Sequence, residues 1–270
     1  MAIKPIFTTT VESLPVSVYE NNTEVGKAAA ADAAAYLKQV LDERGQANVI
    51  LATGNSQLTF LETLRSLPGI DWSRISFFHM DEYINLPPGH PASFPAFLRR
   101  HFLDHLQPPA GAFYPVPAGS TAAGQQPEEI EGLEEYEQNL RTHPADLCAL
   151  GIGENGHLAF NDPPYADFND PLWVKVVKLD EVSRMQQLKE GHFPDLASVP
   201  THAVTLTIPA LLAARKILAI VPESRKAPAV QRALRGPIYP ACPASILRRT
   251  AHAHLYLDRD SAALTFDLDS

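Results

Sequence analysis

Cysteine is nearly missing from this sequence, which has two, Cys148 and Cys242, in 270 residues. They lie far apart and follow no metal-ligand spacing, so we expect no structural disulfide and a reducing compartment. Long apolar runs are missing too: the N-terminus has no apolar signal segment, and no stretch is long enough to cross a bilayer. These absences predict a soluble, cytoplasmic protein with no membrane partner.

Positive charge is also scarce, with 22 Lys and Arg against 31 Asp and Glu and a formal net charge of -9. This balance argues against a nucleic acid or an anionic membrane as the main partner. An anionic ligand is then held only at a local basic or backbone-amide site. Apolar residues are plentiful at 45% of the chain, which is enough to bury a large core and does not predict disorder.

Apolar runs with the length of buried strands alternate with helical patterns along the whole chain. This alternation predicts an α/β fold, with a mainly parallel sheet flanked by helices in a single domain over residues 1–270. Four of the runs, "VILA", "ISFFHM", "DLCAL" and "LAIV", each end in a polar loop. Ligands of such sheets gather at the carboxyl ends of strands, so these loops share one crevice if the four strands are neighbours.

The first loop, "ATGNSQ", lies between a strand and a helix. Gly54 lets the backbone approach a ligand closely, and Thr53, Asn55 and Ser56 offer hydroxyls and an amide at a helix N-terminus. Such a terminus is a natural phosphate site. A helix start capped by Asn55 or Ser56 explains the same letters equally well.

The second loop, "HMDEY", places Asp81 and Glu82 just beyond an apolar strand. A partly buried carboxylate there can act as a general base near neutral pH. The alternative is that Asp81 accepts backbone N–H groups and shapes the loop. A metal site of His79 with either acid is disfavoured, because adjacent residues of an extended segment point to opposite faces.

The third loop, "GIGENGHLAFND", carries His157 among Glu154, Asn155 and Asp162. A carboxylate or an amide can hold a histidine in one tautomer, and the ring can then shuttle a proton. Most isolated histidines are not catalytic. The glycine-rich setting at a strand end favours a functional role for this one.

The fourth loop, "ESRKA", places Lys226 and Arg225 at the start of a helix. Cations at a helix N-terminus oppose the macrodipole, and a bound phosphate would offset that repulsion. A solvated side chain is the simpler alternative.

Taken in order, these segments resemble the glucosamine-6-phosphate deaminase family, within a wider group that includes 6-phosphogluconolactonases and ribose-5-phosphate isomerases. The resemblance covers nearly the whole chain and is carried by "MDEY" followed by "GENGHLAFN". The continuation "LAFND" favours the deaminases over the lactonases. The resemblance implies a Rossmann-like fold and an isomerising deaminase that makes fructose 6-phosphate and ammonia, with no metal or organic cofactor.

The resemblance also implies roles for individual residues. Asp81 matches the base that moves a proton between sugar carbons 2 and 1, and His157 matches the histidine that assists ring opening. Asn155 and Asp162 match the positions that orient this histidine. The family's phosphate-binding positions match Thr53, Gly54, Asn55, Ser56 and Lys226.

Three departures from the family pattern mark a divergent branch. Many members have Asp where this chain has Asn155, and most have Glu where it has Asp162. Because Asp is one methylene shorter, we expect it to reach His157 only through a shifted loop or a bridging water. The segment "KLDEVSRMQQLKEGHF" replaces one that usually ends in a phosphate-binding arginine, and Arg184 and Lys189 are the nearest candidates.

The leading hypothesis is therefore an amino-sugar-phosphate isomerase/deaminase. A 6-phosphogluconolactonase-like hydrolase or another sugar-phosphate isomerase stays open, since either needs His157 but no amine. A non-catalytic sugar-phosphate sensor is disfavoured, because sensors with this fold normally carry a DNA-binding helix-turn-helix and the sequence shows neither that nor a basic stripe. The expected partner is a small sugar phosphate, and homo-oligomers are common in the family.

Overall fold

Strands and helices alternate as predicted in the computed structural model, which describes residues 3–87, 89–119, 130–163, 165–189, 191 and 193–268. The strands are β1 (Phe7–Val11), β2 (Leu14–Tyr19), β3 (Ala47–Leu51), β4 (Ile75–His79), β5 (Asp81–Tyr83), β6 (Ala112–Tyr114), β7 (Leu147–Leu150), β8 (Val174–Lys178), β9 (His202–Leu206), β10 (Lys216–Val221) and β11 (Ala253–Asp258). The helices are α1 (Asn22–Arg44), α2 (Leu58–Ser66), α3 (Phe94–His101), α4 (Leu133–Thr142), α5 (Glu181–Lys189), α6 (Ile208–Leu212), α7 (Ala227–Arg235) and α8 (Arg259–Ala262).

Eight of these strands form the main sheet, in the order β1-β2-β11-β10-β7-β3-β4-β6. Only the β1–β2 pair within it is antiparallel, so the predicted mainly parallel sheet is confirmed. The strands that carry the four polar loops are β10, β7, β3 and β4, and they lie side by side. The condition for a shared crevice is therefore met.

Both faces of the main sheet are buried, as expected of parallel strands covered by helices. In β3 every residue is buried, and successive side chains enter different clusters: Val49 and Leu51 pack on one face and Ile50 on the other. The long helix α1 covers the first of these faces. Asn21 caps its start by accepting the N–H of Glu24, and Gly45 ends it in a left-handed conformation.

A second, three-stranded antiparallel sheet in the order β5-β9-β8 was not predicted. The chain leaves β4, passes Met80 and enters β5 at once, so Asp81 lies where one sheet ends and the other begins. Aromatic rings pack beneath the small sheet, with the Tyr83 ring 5.0 Å from Phe94 and 5.3 Å from Phe160. This packing fixes the position of the "HMDEY" loop against the third loop. Within the described ranges, no helix has the length and apolar character to cross a membrane.

Candidate active site

The four polar loops meet in one pocket at the carboxyl edge of the main sheet. Apolar walls come from Met80, Phe94 and Phe160. Asn155 and Asp162 lie behind the histidine of the third loop. The sequence-predicted residues that line the pocket are Thr53, Gly54, Asn55, Ser56, Asp81, His157 and Lys226.

Asp81 supplies a buried carboxyl to this pocket. Its backbone pairs with Thr205 across the small sheet, which fixes the residue in place. The residue is 7% exposed. Burial first, and then the charge of Glu82, raises the pKa of Asp81 to about 8. A carboxyl with a pKa near the working pH both takes and returns a proton, as a general base in an isomerisation must.

Glu82 has a different task, since its carboxylate holds the loop together. Oε1 accepts the N–H of Tyr83 at 2.8 Å, and Oε2 accepts the Ser93 hydroxyl at 2.9 Å and the N–H of Phe94 at 3.1 Å. Phe94 begins α3, so this negative group lies at a helix N-terminus. Burial raises the pKa of Glu82 to about 7 against these three hydrogen bonds. The loop-shaping role considered for Asp81 therefore falls to Glu82.

His157 is oriented directly by Asp162. Its Nδ1 lies 3.0 Å from Oδ1 of Asp162, whose side chain is fully buried, while the histidine side chain is 12% exposed. The N–H of His157 donates to Asn155 at 3.0 Å, and the Asn155 amide donates to the same Asp162 oxygen at 3.0 Å. The shorter aspartate makes direct contact with Nδ1, so no bridging water is needed.

The Asp162 carboxyl stays ionised although it is buried. Burial alone would raise its pKa, but hydrogen bonds from His157, Ser183 and Asn155 outweigh that effect and hold the pKa below its usual value. An acceptor-only carboxylate therefore faces Nδ1 of the histidine.

Gly153 makes room for the histidine ring. A Cβ atom placed there would lie 2.2 Å from both Cε1 and Nε2 of His157. No side chain fits without displacing the ring, which explains one glycine of "GIGENG". The orientation of the His157 ring is thus fixed by hydrogen bonds at its Nδ1 edge and by the backbone of Gly153 against its face.

The first loop forms the opposite end of the pocket. Gly54 has φ 97, which L side chains rarely adopt, and a single 3-10 turn over Asn55–Gln57 follows it. The Gln57 amide donates to the Ile220 carbonyl at 3.2 Å and so ties this turn to β10. Thr53, Gly54, Asn55 and Ser56 line the pocket here, and a turn of this kind can bind an anion through backbone N–H groups.

Two basic side chains of the fourth loop, Lys226 and Arg225, line the same end of the pocket as the first loop. Lys226 is 4% exposed, and Arg225 lies beside it in the pocket wall. Arg225 contacts Glu223 at 2.5 Å and Glu154 at 3.4 Å. The buried Lys226 therefore lines the same pocket as the turn of the first loop, an arrangement that can bind an anion.

The two candidates for the missing arginine lie elsewhere in this structure. Arg184 donates to the carbonyls of Leu196 at 2.6 Å and Val199 at 2.8 Å, and Lys189 is an exposed residue in the last turn of α5. Neither belongs to the described pocket lining, where α5 instead contributes Gln186 and Gln187.

Ser183 is a site residue that sequence reasoning missed. Its hydroxyl lies 2.5 Å from Oδ1 of Asp162 and 3.1 Å from Nδ1 of His157. A single serine in a polar helical segment carries no signal of such a role. Only the docking of α5 on the third loop shows it.

The remaining histidine of the second loop, His79, is fully buried, with its ring edge-on to Phe94. Burial lowers its pKa to about 3, which keeps the ring neutral. Among the described residues, no three His, Cys, Asp or Glu side chains are grouped so as to hold a metal ion.

Fold and site together define an α/β protein in which the loops after parallel strands bring Asp81, His157 and Lys226 into one pocket. The family model described as "Glucosamine-6-phosphate isomerases/6-phosphogluconolactonase" matches residues 20–256. The chain belongs to this family.

Relatives and solved structures agree with that assignment. The chain is 36% identical over 219 residues to a glucosamine-6-phosphate deaminase of Exiguobacterium sibiricum, covering 80% of this chain and 81% of the relative. It is 34% identical over 228 residues to one of Bacillus thuringiensis, covering 84% and 82%. A monomeric glucosamine-6-phosphate deaminase superposes with a TM-score of 0.79 at 28% identity, over 92% of this chain and 99% of the other. The 6-phosphogluconolactonase from Trypanosoma brucei superposes with a TM-score of 0.73 at 18% identity, over 96% of this chain and 100% of the other. This similarity shows a shared fold.

Proposed function

We propose that this protein is a glucosamine-6-phosphate deaminase, which converts glucosamine 6-phosphate and water to fructose 6-phosphate and ammonia. The observation that carries the proposal is that Asp81 and His157 line one pocket, whose other end is lined by the turn after Gly54 and by Lys226. The relatives at 34–36% identity carry that name, which supports the same substrate.

His157 would open the sugar ring. Opening requires that a proton leaves the C1 hydroxyl and that one reaches the ring oxygen. The Nδ1 edge is engaged with Asp162, so Nε2 is the nitrogen left for this exchange. The negative charge of Asp162 stabilises the imidazolium while it carries the proton.

Asp81 would then move a proton between two carbons. As carboxylate it takes the C2 proton, which leaves an enolamine, and as acid it returns a proton to C1. The product is an imine at C2; water adds to it and ammonia leaves, so the ketose forms without any oxidant or reductant. A pKa of about 8 suits a group that must be base and then acid.

The anion end would fix the substrate by its phosphate. The turn after Gly54 supplies backbone amides, and Lys226 supplies a positive charge. Holding the phosphate there fixes the sugar carbons relative to the two proton-transfer groups, and such positioning is worth several kcal/mol of barrier.

The alternative is a 6-phosphogluconolactonase, which shares the fold but needs no base at C2. The buried Asp81 carboxyl favours the deaminase, since lactone hydrolysis moves a proton only from the attacking water to the leaving oxygen and needs no second group to act on a carbon-bound proton. Initial rates on glucosamine 6-phosphate, followed by ammonia release, and on 6-phosphogluconolactone, followed by acid release, separate the two. We expect turnover of the amino sugar alone, and lactone turnover without ammonia release would overturn the proposal.

A further inference from the structure

Helix α5 docks on the third loop through two buried side chains. Ser183 is 2% exposed and Gln186 is 7% exposed. They are three residues apart and so share one helix face. The Gln186 side-chain oxygen accepts the N–H of Glu154 at 3.2 Å. This contact fixes the helix against the loop that carries His157.

The Ser183 hydroxyl lies at the centre of the group around the histidine. Its oxygen is 2.5 Å from Oδ1 of Asp162, 3.1 Å from Nδ1 of His157 and 3.4 Å from Nδ2 of Asn155. A serine early in a helix commonly bonds to nearby backbone of its own helix. Here the side chain instead reaches a residue 21 positions earlier in the sequence.

The Ser183 hydroxyl donates its proton in a hydrogen bond to Asp162. The Asp162 carboxylate only accepts hydrogen bonds, so the serine donates to it and can only accept from its other neighbours. Nδ1 of His157 thus faces two acceptors, the Asp162 oxygen at 3.0 Å and the serine oxygen at 3.1 Å. This arrangement stabilises the ring with its proton on Nδ1 and the lone pair on Nε2.

We propose that Ser183 is a positioning residue that, from α5, holds His157 in the Nδ1–H tautomer needed for ring opening. The catalytic part of this inference rests on the proposed function; the tautomer does not. Loss of the hydroxyl leaves the Asp162 oxygen with one donor fewer and leaves Nδ1 of His157 with one acceptor in place of two. The packing of α5 on the third loop and the orientation of the His157 ring therefore depend on the same side chain, Ser183.

Kinetics of Ser183→Ala give the first test, with Ser183→Thr as the conservative variant. Because Ser183 does not line the pocket, we expect kcat to fall by about tenfold to a hundredfold with KM within about twofold. Threonine should restore kcat to within about threefold. Ser17→Ala is the matched control, since Ser17 is also buried and bonded to a histidine, at 2.9 Å from Nε2 of His254, but lies outside the pocket. It should leave kcat unchanged.

Nitrogen NMR of protein labelled at its histidine rings gives a second test that needs no turnover. The His157 signal is assigned by its loss in His157→Gln. We expect the Nδ1–H tautomer in the wild type and a larger Nε2–H share in Ser183→Ala. An unchanged tautomer in the alanine variant would overturn the inference, as would an unchanged kcat. If the wild type fails to deaminate, the proposed function fails while the tautomer result still decides the role of Ser183.

Discussion

Replacing Glu82 by Gln should move the pH dependence of the reaction without removing the base. The pKa of Asp81 is about 8, so about one-tenth of the free enzyme holds the carboxylate at pH 7 and about nine-tenths at pH 9. If Asp81 is the base, kcat/KM rises about tenfold between these pH values. An ordinary carboxyl would be fully ionised throughout this range and would give a flat profile.

The neighbouring charge is the second cause of the raised pKa of Asp81, after burial. Glu82→Gln removes that charge and leaves the burial, so the pKa of Asp81 falls but stays above its usual value. The ionised fraction of Asp81 at pH 7 then rises. We expect the variant to be faster than the wild type at pH 7 and equal to it at pH 9.

The assay is kcat/KM for ammonia release at half-unit steps from pH 6 to 9.5, on both proteins. The amine of the substrate titrates in the same range, but it affects both proteins equally and cancels in their ratio. Glutamine keeps one of the two oxygens that accept the Ser93 and Tyr83 donors, so the loop loses about 1–3 kcal/mol. Thermal melting of the variant therefore sets the assay temperature. A flat wild-type profile, or a ratio independent of pH, would refute the role of Asp81 as base.

Three further substitutions test other parts of the site and fold. In Gly153→Ala the new Cβ would lie 2.2 Å from the His157 ring, and the displaced ring should cost about a hundredfold in kcat; unchanged kinetics would contradict the packing. Lys226→Met removes the buried cation and should raise KM for the sugar phosphate by about tenfold or more, whereas a loss confined to kcat would place the phosphate elsewhere. In Gly111→Ala the Cβ would lie 2.4 Å from the Ser73 carbonyl, so the melting temperature, measured by calorimetry, should drop by about 2–10 °C with KM unchanged.

The alternation of strands and helices and the polar loops at strand ends could be predicted because their signals are local, whereas the order of the strands in the sheet could not. Buried parallel strands appear as short apolar runs, and the polar letters after four such runs pointed to one edge of one sheet. This rule predicts "ATGNSQ" and "ESRKA" at the same edge if their strands are neighbours, and the structure brings Ser56 and Lys226 into one pocket.

The small sheet could not be predicted, because β9 has the same apolar character as the strands of the main sheet. Its pairing with β5 and β8 depends on contacts between distant segments. The role of Ser183 was hidden for the same reason, since it depends on how α5 docks. Residue length alone could not decide between a shifted loop and a bridging water, and the direct contact of Asp162 with His157 leaves no need for the water.

A crystal structure with the open-chain alditol of glucosamine 6-phosphate tests the central claim most directly, since this analogue lacks the carbonyl and cannot react. The account predicts the phosphate on the turn after Gly54 within hydrogen-bond distance of Lys226, and carbon 2 beside the carboxyl of Asp81. It also predicts the C1 end of the sugar next to Nε2 of His157. A phosphate bound away from this turn, or a carbon 2 out of reach of Asp81, would contradict the account.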